Sequence, residues 1–143
     1  MADRDAHSRR TLFFALGTLL VLAAILITRF RGAPGSVSVS EARELLSRDS
    51  SVVVLDVRTA EEFFSETGHL EGAILLPVQE LERRIDELAS WKFRTIVVYC
   101  RSGRRSRNAA TLLGQKGYRA INLEGGIVEW NNQHYPVRVE RVK

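Results

Sequence analysis

The apolar positions divide the chain into two unlike parts. The first holds one unbroken run, Thr11 to Thr28, eighteen residues without a charge, bracketed by Arg9-Arg10 and by Arg29-Phe30-Arg31. In the second, short apolar runs are spaced by amphipathic stretches. The runs Val37–Val39, Val52–Asp56, Ala73–Leu76, Ile96–Cys100 and Ala120–Leu123 are rich in Val, Ile and Leu without clear polar alternation, the pattern of strands covered on both faces. Ser38 stands three residues before Glu41, and Thr59 three before Glu62, the spacing of a capping box that opens a helix. Glu80 to Leu88 and Arg104 to Lys116 carry longer helical patterns, the second closed by Gly117 as a left-handed C-terminal residue. Strands alternating with helices predict an α/β fold, a mostly parallel sheet flanked by helices on both faces. Such sheets bind ligands at the carboxyl ends of their strands, where the run 96–100 places Cys100.

The uncharged run predicts one transmembrane helix ahead of that domain. Over residues 11–28 it would be about 27 Å long, slightly short of a hydrocarbon core of roughly 30 Å, with flanking arginines able to snorkel. A buried core helix is the first alternative, but a segment apolar on every side has no second apolar face to bury against here. A cleaved signal peptide is the stronger rival. Cleavage near Ala33 would put Arg31 at the third position before the cut, where a small residue is wanted, and arginines directly after the run act as a stop. The expected organisation is a short polar N-terminus at 1–10, the membrane helix at 11–28, a linker at 29–36 containing Gly32-Ala33-Pro34-Gly35-Ser36, and one domain at 37–143. About 110 residues suffice for a single core and leave no room for a second.

Charge changes this picture only locally. Of the formal +4, three charges come from Arg4, Arg9, Arg10, Arg29 and Arg31 against Asp3 and Asp5, so the domain itself is close to neutral. Its basic cluster is Arg101, Arg104, Arg105 and Arg107, which suits a small anion; a nucleic-acid partner would call for a broad basic stripe and is not expected. The lone cysteine excludes an intramolecular disulfide framework and a multi-cysteine metal site.

That cysteine lies in Tyr99-Cys100-Arg101-Ser102-Gly103-Arg104-Arg105-Ser106, between a predicted strand and a predicted helix. The backbone N–H groups of such a turn can converge on one centre, and the helix N-terminus adds partial positive charge. Both lower a thiol pKa and favour bound anions. A lone cysteine is more often a small buried hydrophobe; the glycine and the arginines after it point to an activated thiolate.

These residues carry a family resemblance. The loop from Cys100 to Ser106 is similar to the active-site loop of rhodanese domains, the fold of sulfurtransferases. Leu55-Asp56-Val57-Arg58 with Glu61-Glu62-Phe63, then Gly68-His69-Leu70-Glu71-Gly72-Ala73 and Leu76-Pro77, and finally Leu123-Glu124-Gly125-Gly126 and Trp130, resemble the rest of its frame in order and spacing. The resemblance implies a rhodanese-like α/β fold in which Cys100 carries a persulfide. It implies sulfur transfer from a small anionic donor, thiosulfate-like, to a thiol or protein acceptor, without metal or organic cofactor. Donor binding falls to Arg101, Ser102, Gly103, Arg104, Arg105 and Ser106, with Arg105 the foremost ligand of the donor's oxyanion.

Two rival readings remain beside it. Rhodanese domains resemble dual-specificity phosphatases, whose loop needs five residues between cysteine and arginine. Here four separate Cys100 from Arg105, and Tyr99 stands where those enzymes have histidine. The other rival is a membrane-tethered binding module with little catalysis. Asp56 and Arg58 are expected either at the rim of the site or as an internal ion pair, with structural support favoured. His69 is read as part of the frame, His134 as surface, and Trp91 and Trp130 as packing anchors. Arg4, Arg9 and Arg10 before the span balance Arg29, Arg31 and Arg43 after it, so charge sets no orientation. A free thiol that must cycle is easier to keep in a reducing compartment, so the expected setting is a bacterial inner (cell) membrane with the domain facing the cytoplasm.

Overall fold

The computed structural model describes residues 35–140. The predicted transmembrane helix at 11–28 lies outside the described residues, and among those that are described no helix is long and apolar enough to cross a membrane.

Five strands, β1 (Ser36–Val37), β2 (Val53–Asp56), β3 (Ile74–Leu75), β4 (Thr95–Tyr99) and β5 (Arg119–Leu123), form one sheet in the order β1-β5-β4-β2-β3. Every pairing is parallel. The helices are α1 (Val39–Arg48), α2 (Ala60–Phe63), α3 (Val78–Arg84) running into a 3-10 helix at Ile85–Trp91, α4 (Arg104–Gln115) and α5 (Gly126–Asn132).

The two-residue period of a strand sorts the core into two halves. Along β4, Ile96, Val98 and then Cys100 face the half built with Leu81, Leu88, Ala109, Ala110 and Leu113 of α3, the 3-10 helix and α4. Val97 and Tyr99 face the other, with Val39 and Ala42 of α1 and Ile127 and Trp130 of α5. The central strand buried on both sides thus delivers Cys100, 1% exposed, to the layer occupied by α4.

Both capping boxes form. Ser38 and Thr59 each receive the backbone N–H of the glutamate three residues on, and each glutamate reaches back to the cap N–H. The first corrects the predicted strand at Val37–Val39, because a residue serving as Ncap cannot also continue a strand. β1 stops at Val37, and Val39 opens α1. The helix predicted over Glu80–Leu88 is instead two pieces, α3 and the 3-10 segment. α4 ends at Gln115 rather than Lys116, and Gly117 takes the left-handed conformation expected of it, φ +86°. The sequence pattern does not predict α5, in which Gly125 at φ +73° is the cap and Gly126 the first residue.

Candidate active site

Cys100 follows β4 directly, and Gly103, in the left-handed region at φ +88°, caps α4. Only glycine suits this point, since a Cβ here would also come within 3.1 Å of the Leu123 carbonyl oxygen and the Gly125 nitrogen. The turn aims donors at the sulfur. The Gly103 N–H lies 3.2 Å from Sγ and the Ser106 hydroxyl 3.4 Å from it. Burial pushes the thiol up, but the Ser106 hydroxyl and the N–H groups of Ser106, Ser102 and Gly103 outweigh it and leave Cys100 below its ordinary value.

The loop is held from behind by α5. The Ile127 N–H donates to the Cys100 carbonyl at 2.9 Å and the Val128 N–H to the Arg101 carbonyl at 3.1 Å. These bonds satisfy orphan donors of a helix start and tie the loop backbone to α5. A Cβ at Gly126 would fall on the same two oxygens, 2.6 Å from that of Arg101. The predicted closing motif therefore works as a clamp on the loop.

Sequence reasoning misses Asn122. Buried on β5, its Oδ1 accepts the Ser106 hydroxyl at 2.7 Å. That hydroxyl has one proton to share between Asn122 and Sγ. The available signal is an amide inside an apolar strand, which calls for a buried partner.

The arginines separate. Arg101 and Arg104 are exposed, and no ion pair engages them among the described residues. Arg105 directs both terminal nitrogens to Glu62, Nη1 to Oε2 at 2.8 Å and Nη2 to Oε1 at 2.6 Å. Those bonds hold the Glu62 carboxyl down at about 2. In the sequence Glu62 is legible as a capping residue and as part of the family frame, but not as the partner of Arg105. Ser102 is exposed on the loop, while Gly103 and Ser106 are buried beneath it.

Asp56 and Arg58 form the internal pair. Arg58 Nη2 is 2.7 Å from Asp56 Oδ2, and Nε lies between both carboxylate oxygens at 3.0 and 2.9 Å. The remaining guanidinium donors go to the carbonyls of Gly68 and Glu62 and to the Thr67 hydroxyl. Tyr99 is in this layer too, its hydroxyl accepting the Leu70 N–H at 3.1 Å. His69 stacks on Phe63 with ring centroids 3.9 Å apart and pairs its backbone with Arg138. His134 is exposed. Trp130 is buried with its indole N–H on the Pro136 carbonyl, and Trp91 is half-buried against the α4 side of the core. A cavity of about 710 Å³ opens elsewhere, lined by residues including Arg43, Leu46, Val53, Leu70 and Trp91 and by none from the cysteine loop.

The geometry thus presents a nearly enclosed, activated sulfur beneath a ring of donors. Residues 38–133 match the rhodanese-like domain family. The chain is similar to a sulfurtransferase of Allochromatium vinosum, 38% identical over 93 residues that cover 64% of this chain and 83% of that protein. It is also similar to the thiosulfate sulfurtransferase PspE of Escherichia coli, 37% identical over 73 residues, 51% of this chain and 68% of the relative. Among solved structures, a rhodanese-related protein of Thermoplasma volcanium superposes with a TM-score of 0.67 at 30% identity, covering 74% of this chain and 99% of that one.

Proposed function

The chain belongs to the rhodanese-like family, and from that premise we propose that it is a membrane-anchored sulfurtransferase acting through a persulfide on Cys100. Its homologues support sulfurtransferase-type function in general; the donor class, the residue roles and the anchor are our reading. The observation that carries it is the convergence of the Gly103 N–H and the Ser106 hydroxyl on Sγ, which stabilises negative charge on sulfur where an inert thiol needs none.

In the first half-reaction the Cys100 thiolate attacks the outer sulfur of a donor such as thiosulfate. The donor's S–S bond breaks, sulfite leaves with the electron pair, and the transferred sulfur remains as a Cys100 persulfide anion. An acceptor thiolate or cyanide then takes that sulfur and returns the thiolate. The loop amides hold the charge of both sulfur states, and Arg101 and Arg104 draw the anion to the mouth. At 1% exposure, Cys100 admits a terminal sulfur atom more readily than a tetrahedral phosphoryl group, in keeping with the short spacing to Arg105.

Intact mass spectrometry of protein purified without reductant tests this reading: a population heavier by one sulfur atom, lost on cyanide treatment and absent from Cys100→Ser, is expected. Sulfur transfer that survives in folded Cys100→Ser would refute the cysteine mechanism. Residues 11–28 supply the anchor in this proposal, with the domain facing the cytoplasm. A membrane-impermeant maleimide should then label Cys100, the single thiol, only after lysis; strong labelling of intact cells would place the domain outside.

A further inference from the structure

The site is poor in net positive charge despite its arginines. Arg105, close enough to Cys100 for their charges to interact, is committed to Glu62, so that guanidinium arrives with its own carboxylate. Glu62 is firmly held in turn. Its Oε2 also accepts the Thr59 N–H at 3.1 Å as part of the α2 cap, and its backbone carbonyl takes Arg58 Nη1 at 3.1 Å. A thiolate at Cys100 therefore leaves the cluster of Cys100, Arg105 and Glu62 with a net charge of minus one. Arg101 and Arg104 remain as cations on the exposed rim, where solvent screens them.

Resting on the sulfurtransferase reading, we infer that Glu62 determines donor specificity: its carboxylate disfavours the thiosulfate dianion and directs Cys100 toward sulfane-sulfur donors of lower charge, thiosulfonate monoanions and hydropersulfides. With a hydropersulfide R–S–SH, the Cys100 thiolate attacks the terminal sulfur, the S–S bond breaks and R–S⁻ departs, leaving Cys100–S–SH with the donor's proton. With a thiosulfonate, the terminal sulfur is transferred as in the thiosulfate reaction and a sulfinate leaves. Neither step needs an external oxidant or reductant. Partial exposure of the pair, 31% for Arg105 and 28% for Glu62, keeps the carboxylate close enough to solvent to act on an incoming anion.

The test is Glu62→Gln in the full chain, assayed with thiosulfate and with benzenethiosulfonate. Glutamine retains the acceptor oxygen of the cap and removes the charge. Any shift of the thiolate pKa alters both rates alike and cancels in their ratio. The expected result is a ratio of kcat/KM values displaced toward thiosulfate by about fourfold for the one extra charge, shrinking as salt is raised. A parallel measurement needs no turnover: alkylation of Cys100 by iodoacetate relative to iodoacetamide should rise by a similar, roughly fourfold, factor in the variant. Unchanged ratios overturn the inference, and so do ratios displaced the other way, which would make Glu62 an aid to anion binding through Arg105. If the wild type transfers sulfur from neither donor while the alkylation ratio moves as expected, sulfur transfer is the reading that falls and the charge role of Glu62 stands.

Discussion

The two arginine–carboxylate pairs, Asp56–Arg58 and Glu62–Arg105, are alike in chemistry and opposite in circumstance. Asp56 and Arg58 have side chains 0% and 2% exposed, and every donor of that guanidinium is taken by the protein. Glu62 and Arg105 are about a third exposed and lie on the cysteine side. Burial decides what each pair is for. A charge removed from water must keep its partner to be tolerated at all, so the inner pair is scaffold. The outer pair retains enough contact with solvent to exchange partners, so it can take part in recognition. The pairs also touch, because Arg58 holds the backbone carbonyl of Glu62; the scaffold pair orients the residue that governs the functional one.

The sharpest way to break this comparison is to remove a partner from each pair in turn. Arg58→Met should cost about 3–5 kcal/mol, since it strands a buried Asp56 carboxylate, and thermal melting will show it. A loss below about 1 kcal/mol, typical of an exposed pair, would erase the distinction. Gly126→Ala comes next. A Cβ placed on the carbonyls of Cys100 and Arg101 at φ +58° should cost about 1–3 kcal/mol and slow sulfur transfer by moving the loop; a stable variant with full activity would mean that α5 does not clamp the site.

Arg105→Ala should cost less than about 1 kcal/mol in stability, yet lower kcat/KM for thiosulfate by about fourfold relative to benzenethiosulfonate, because it leaves Glu62 unpaired beside the incoming anion. Adding Glu62→Gln should recover part of that loss, and steady-state kinetics on the double variant checks the coupling. The smallest effect is on acid stability. The folded Glu62 carboxyl is held at about 2 against an ordinary 4.5. Its contribution is therefore complete above about pH 4.5 and lost as pH falls toward 2, because the unfolded state takes up the proton first. Acid unfolding followed by circular dichroism should be flatter across that window in Glu62→Gln than in the wild type.

Features written in local order are legible in the amino-acid sequence alone. Strand runs without polar alternation, two capping boxes and the closing Gly117 depend on neighbours within a few residues, and the structure places them within a residue or two of their predicted positions. Cys100 at a strand end between Tyr99 and Arg101 is equally local, as is the spacing that opposes a phosphate cradle. Errors arise where local signals compete: Ser38 suits either strand or cap, and the cap prevails because it satisfies helix donors that a longer edge strand would leave open.

What the amino-acid order determines by itself is thus the α/β alternation, the activated position of Cys100 and the membership of its loop in a known pattern. Tertiary structure alone decides which groups meet that loop. Glu62 lies 43 residues from Arg105, and Asn122 lies 16 residues from Ser106. Their contacts exist because parallel pairing brings β2, β4 and β5 side by side, so that residues remote in the chain converge at one end of the sheet. A carboxylate's partner depends on that convergence, and the charge of the site with it.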